Sequence, residues 1–111
     1  MKVETLNEYQ RLALITANHD LDSKIDLAVA SLGVAGEAGE VADHVKKYLG
    51  HGHELDREKM IKECGDVLWY VSKIAHCLDV SLQEIAERNI EKLAKRYPEG
   101  FSEEASKNRK E

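Results

Sequence analysis

A chain of 111 residues, 33% of them charged and with a net charge of −5, fits one domain with a modest core. The acidic balance speaks against a protein that coats nucleic acid or an anionic membrane. No apolar run approaches the roughly 20 residues that span a bilayer. The opening MKVETLNEYQ has none of the apolar character of a signal peptide, so a cytoplasmic protein is expected.

Four helices have readable starts. Thr5 with Glu8 three residues later forms a capping box, and Leu6, Ala13, Leu14, Ala17 and Leu21 follow with helical period. Ser23 and Asp26 offer the second start. Leu27, Ala30, Val34, Val41, Val45 and Tyr48 carry that stripe to Gly50, a natural stop. Asp56 caps the third helix, striped by Met60, Val67, Val71, Ile74 and Leu78. Ser81 with Glu84 is a second capping box, followed by Leu82, Ile85, Ala86 and Leu93 up to Pro98-Glu99-Gly100. The single proline, Pro98, comes late, so nothing before it forces a helix to break.

Short connections between four helices predict an all-α, antiparallel, four-helix bundle-like domain. Broad apolar surface on two helices predicts a homo-oligomer that completes the core. Residues 102–111, SEEASKNRKE, lack apolar period and read as a charged tail, solvated or disordered and flexible. The linker GHGHELD has two glycines and two histidines, His51 and His53, read as solvated loop residues, with gating or phosphate contact as the alternative role. Cys64 and Cys77 form no CxxC pair and read as two reduced core thiols.

Two helices carry acids in unexpected places. At about 100° per residue, Glu37 and Glu40 lie roughly 60° apart, near the direction of Ala30, Val34, Val41, His44 and Tyr48. Glu63 and Asp66 likewise fall beside Val67, Tyr70 and Ile74. Surface acids belong on the opposite face. A carboxylate taken out of water needs a partner or a metal. Pairing with Lys46, Lys62 or Lys73 is one solution. A divalent cation answers all four at once, and an all-oxygen donor set suits Mg²⁺ or Mn²⁺ rather than Zn²⁺. Mg²⁺ held this way keeps positions for water and substrate phosphates, which points to phosphate chemistry. Gly33, Gly36 and Gly39 recur inside the same helix at about 1 kcal/mol each against alanine. They predict close approach of another backbone or of a ligand.

Glu37-x-x-Glu40, 22 intervening residues and Glu63-x-x-Asp66 stand within the words LGVAGEAGEVAD, KECGDVLWYVSKIA and NIEKLAKRYPEGF. In these the chain resembles the MazG-like, all-α nucleoside triphosphate pyrophosphohydrolases, over about residues 5–101. The resemblance implies one MazG-like domain over residues 1–101 that forms a homodimer or homotetramer. It implies Mg²⁺-dependent cleavage of a nucleoside triphosphate substrate to the monophosphate and pyrophosphate. Glu37, Glu40, Glu63 and Asp66 would bind the metal and serve catalysis. Related branches act on different nucleotides, so the resemblance leaves base and sugar open.

The remaining substrate contacts are sought among cations and amides near the stripes. Asn89, Lys92 and Arg96 fall within about 60° of one another on the fourth helix, where a Lys and an Arg can reach phosphate oxygens. The same basic residues also suit a helix C-terminus. Lys73 lies one or two turns beyond Asp66. Gln10 interrupts the first helix's stripe, to read a base edge or to bridge two helices. Trp69 and Tyr97 read as core aromatics, with stacking on a base as the alternative. A carboxylate-bridged di-iron bundle needs Glu-x-x-His motifs, and the acidic motifs here have none. The competing reading from another class is a non-catalytic helical regulator that keeps the fold, against which the retention of all four acids weighs.

Overall fold

The caps read from the sequence do begin most of the helices. In the computed structural model, which describes residues 1–109, Thr5 Oγ1 accepts from the Glu8 N–H at 3.0 Å and starts α1, Leu6–Ala13. A 3-10 turn, Leu14–Thr16, extends it. Asp56 Oδ1 accepts from the Lys59 N–H and starts α3, Arg57–Cys77. Ser81 Oγ accepts from the Glu84 N–H and starts α4, Leu82–Arg96.

The second start lies one residue earlier than expected. Asp22, not Ser23, caps α2, Ser23–Gly50, and its Oδ1 takes both the Lys24 and Ile25 N–H groups. One carboxylate oxygen here satisfies two of the orphan donors of the first turn. The stop also moves. Gly50 is still helical, and Gly52 takes the left-handed conformation with φ 72°, where glycine carries no Cβ penalty. That turn brings the His53 N–H back onto the Lys47 carbonyl at 3.1 Å.

The fold is all-α, with no strand among the described residues. Helices α2 and α3 form the most extensive pairing, an antiparallel hairpin. Its register is fixed by Gly33 against Tyr70, Asp26 against Lys73 and His44 against Asp56. A Cβ on Gly33 would enter the Tyr70 ring, so this glycine sets how closely the hairpin packs. Helices α1 and α4 pack on α3 and on each other. Trp69 Nε1 donates to the Ala13 carbonyl at 2.9 Å and to Thr16 Oγ1 at 3.0 Å, tying the end of α1 to α3.

The tail is not uniformly irregular. Ser102 caps a short helix α5, Glu103–Lys107; residues 110–111 lie outside the described part. Cys77 is half-buried, but Cys64 is exposed, which corrects the reading of two core thiols. Its position on α3 faces away from the packing surfaces of this single chain.

The interior is thin. The only buried apolar side chains among the described residues are Ala30, Ala75 and Leu82. Leu27, Val29 and Leu32 on α2, and Ile61, Leu68 and Leu78 on α3 and just beyond it, are exposed. The accessible surface is 8434 Å², against about 6,200 Å² for a compact monomer of this mass. The radius of gyration is 16.9 Å, against about 13 Å for a compact domain of about 100 residues. No helix is long and apolar enough to cross a membrane.

Candidate metal and phosphate site

Glu40 and Glu63 come together across the hairpin. Both line a cavity of about 420 Å³ that opens between α2 and α3 and runs toward the loop joining them. Glu63 is buried, and its Oε2 has no hydrogen-bond partner. An unpartnered buried carboxylate oxygen is expensive, so this atom is set up for a ligand that a lone chain does not supply.

The other two acids stand beside this pair rather than in it. Glu37 is half-buried and Asp66 is exposed, and neither lines the cavity. Asp66 lies near enough to α1 to help push the Tyr9 phenol pKa up, an effect to which burial contributes more. No three His, Cys, Asp or Glu side chains among the described residues stand close enough to hold an ion ready-made. Of the four acids expected on a buried stripe, only Glu63 is truly buried, because no further layer covers that face in one chain. Glu37 and Asp66 each sit three residues from Glu40 and Glu63, on the same two helices. Their like charges favour the splayed arrangement until a cation is present.

Three of the nearby lysines, Lys46, Lys47 and Lys73, are engaged elsewhere. Lys46 and Lys47 both pair with Asp43, at 3.0 and 2.9 Å, and hold its carboxyl down at about 2, Lys47 contributing most. Lys47 is in turn raised by Asp43 first and more weakly by Glu40. Lys73 pairs with Asp26 at 2.9 Å. None of Glu37, Glu40, Glu63 and Asp66 forms an ion pair among the described residues. What remains is a set of hard, anionic oxygen donors with one buried orphan among them, which matches a divalent cation such as Mg²⁺.

The expected substrate contacts divide into four places. Asn89 and Lys92 line a second cavity of about 620 Å³ with Leu6, Leu68, Leu82 and Ile85. Arg96 lies against residues 98–108 instead. The Lys73 side chain is 5% exposed and bound to Asp26. Both polar ends of Gln10 bridge helices: Nε2 donates to the Ser72 carbonyl at 3.2 Å, and Oε1 accepts from the Leu82 N–H at 2.9 Å. Of the two roles open to Gln10, the geometry takes the inter-helix bridge. Trp69 is held by α1 as described above.

Asp43, Lys47, Glu54 and Lys59 of the first cavity were not singled out from the sequence, and His44, His53 and Asp56 were named there only as a neighbour on the stripe, a loop residue and a helix cap. His44 and Lys47 follow Glu40 at four and seven residues, the spacing of one helix face, so periodicity carried the signal. The His44 Nε2 accepts the Asp56 N–H at 3.0 Å and fastens the connecting loop to α2; no local pattern announces that bond.

The sequence model of the family described as MazG nucleotide pyrophosphohydrolase domain matches residues 28–101, which span all four acids. The chain is also similar to a protein named Gene 37 protein from Mycobacterium phage L5, 39% identical over 94 residues, covering 81% of this chain and 82% of the relative. No solved structure matches.

Proposed function

This chain belongs to the MazG nucleotide pyrophosphohydrolase family, and from that premise we propose that it hydrolyses a nucleoside or deoxynucleoside triphosphate to the monophosphate and pyrophosphate. The observation that carries the reading is the buried, unpartnered Oε2 of Glu63, a residue that lines one cavity with Glu40. Structural acids on a helix pair would be solvated or ion-paired; this one is neither.

In the reaction, a water oxygen bonds to the α-phosphorus while the bond from that phosphorus to the α–β bridging oxygen breaks. The electron pair leaves with pyrophosphate, and the water's proton passes to a carboxylate and then to solvent. Glu37, Glu40, Glu63 and Asp66 are the residues that would hold Mg²⁺, or Mn²⁺ in its place. Bound there, the cation supplies charge neutralisation for the polyphosphate and a preference for an in-line geometry. One of the acids orients the attacking water and takes its proton. Lys92 and Asn89, at the polar rim of the second cavity, are the expected contacts for the rest of the nucleotide.

The active form is a homodimer or a homotetramer. The excess of roughly 2,200 Å² over a compact monomer's surface is of the size that obligate subunits cover. Exposed Leu27, Val29 and Leu32 along α2 supply the apolar surface for it. A cytoplasmic, nucleotide-pool cleansing enzyme fits these properties.

The test is a panel of normal and modified nucleoside triphosphates with Mg²⁺ and purified protein, with pyrophosphate and orthophosphate measured separately. Pyrophosphate from at least one substrate is expected. Release from none would leave the chain as a non-catalytic helical module.

A further inference from the structure

The cavity does not end at the acids. From Glu40 and Glu63 it continues toward the hairpin loop, where Lys47, Lys59, His44 and His53 line it. Lys47 is seven residues beyond Glu40 and Lys59 four before Glu63, hence about 10 and 6 Å further along the two helix axes. We propose that this loop end of the hairpin is the seat of the β- and γ-phosphates and of the pyrophosphate that leaves, with Lys47 and Lys59 as its phosphate-binding residues. The assignment rests on the pyrophosphohydrolase reading above and adds to it which way the nucleotide lies.

Four observations point the same way. Two of the acids that would hold the cation, Glu40 and Glu63, and the lysines that would hold the anion line one cavity, in that order along the hairpin. Lys59 forms no ion pair among the described residues, so its ammonium is available. The loop above it is shaped by the left-handed Gly52 and by the His44–Asp56 bond, and places His53 at the rim. The volume, about 420 Å³, lies within the range of small-molecule sites.

The charge balance states what form the ligand takes. The wall carries Glu40, Asp43, Glu54, Asp56 and Glu63 against two lysines. Asp43 is also paired with Lys46, outside the cavity wall, and Asp56 Oδ1 is occupied as the cap of α3. The rest still repel a bare polyanion. The site therefore takes a divalent-metal complex of pyrophosphate and rejects pyrophosphate alone. Nucleoside monophosphate, which lacks the β- and γ-phosphates, does not depend on the lysines.

The experiment uses the full chain and calorimetric titration with inorganic pyrophosphate, with and without Mg²⁺, and with a nucleoside monophosphate. Wild type is expected to bind pyrophosphate only with Mg²⁺ present. Lys59→Ala and Lys47→Ala should each weaken that binding tenfold or more and raise KM for the triphosphate similarly. Mg²⁺-induced thermal stabilisation and monophosphate binding should stay within twofold, and Lys59→Arg should recover most of the loss. Both lysines are on the surface, and circular dichroism checks that the variants remain helical. Unchanged pyrophosphate binding in both alanine variants, equal binding without Mg²⁺, or no binding by wild type overturns the assignment. Failure of the pyrophosphohydrolase reading has a separate signature: wild type releasing no pyrophosphate from any triphosphate. An active wild type with indifferent lysines refutes only the placement of the phosphates.

Discussion

Lys73 on α3 and Asp26 on α2 meet at 2.9 Å, Nζ to Oδ2, with side chains 5% and 18% exposed. The Cys77 thiol donates to the same carboxylate oxygen at 3.6 Å. The pair bolts the hairpin together on the far side of Tyr70 from the acids. Removing one member of a buried pair strands the other charge and costs about 3–5 kcal/mol. Asp26→Asn is therefore expected to lower the unfolding free energy by about that amount in urea titrations. Replacing both residues, Asp26→Leu with Lys73→Met, should recover most of it. A single variant as stable as wild type would show that the pair carries no weight.

The same pair sets a pH dependence. The Lys73 hydrogen bond, ahead of the opposing effect of burial, holds the Asp26 carboxyl below its usual range. Its contribution is fully present above the unfolded-state value of about 3.9 and is lost as pH falls through the lower folded value. Unfolding free energies measured from pH 7 down to pH 3 should decline for wild type below about pH 4. Asp26→Asn should show a smaller slope over that window.

The glycines of α2 divide into two kinds. An alanine methyl at Gly33 would enter the Tyr70 ring. Gly33→Ala should destabilise by about 1–3 kcal/mol, as overpacking does. A methyl at Gly36 or Gly39 would meet nothing within 4 Å. Gly36→Ala should thus stabilise an isolated chain by up to about 1 kcal/mol through helix propensity. If that face receives a nucleotide or another copy, the same variant keeps its helicity and loses substrate affinity or assembly. Thermal melts alongside KM and sedimentation separate these outcomes.

Much of this was legible in the sequence because it is local. The caps at Thr5, Asp56 and Ser81 are set by side chains that bond their own first turn, and the acids' face follows from period alone. Asp22 displaced Ser23 because a carboxylate oxygen can take two N–H groups and the sequence does not rank them. Helix α5 was hidden because a single capped turn has no apolar period to announce it. The choice of Asp26 by Lys73, the bridge built by Gln10 and the His44–Asp56 bond depend on which helices meet and in what register. The open position of Glu37 and Asp66 likewise reflects a face that one chain leaves uncovered.

Removing a charge at the orphaned acid should separate folding from metal binding. Glu63 is buried without a partner for Oε2, so Glu63→Gln relieves an unpaired charge. In EDTA the variant should melt at or above the wild-type temperature. Adding Mg²⁺ should stabilise wild type by RT ln(1 + [Mg²⁺]/Kd), about 2.7 kcal/mol at a hundredfold excess over Kd, and Glu63→Gln far less. Equal Mg²⁺ stabilisation of both proteins would remove Glu63 from the metal set.

The turn between α3 and α4 offers a stability change away from the site. Asp79 sits at φ 57°, the one non-glycine residue with positive φ among those described. Its N–H bonds the His76 carbonyl and the Val80 N–H bonds the Ala75 carbonyl, both at 3.0 Å, which closes the end of α3 in a left-handed C-terminal motif that glycine favours. An L-residue there carries a steric cost of about 1–2 kcal/mol, eased for aspartate by its short polar side chain. Asp79→Gly removes that cost but adds freedom to the unfolded chain. The net expectation is a gain of about 0.5–1 kcal/mol and a Tm higher by several degrees. Asp79→Ala keeps the strained backbone and loses the polar side chain, so it should be less stable than wild type. Thermal unfolding of the three proteins orders them as Gly, Asp, Ala. Alanine equal to glycine would show that the carboxylate, not the backbone, governs this turn.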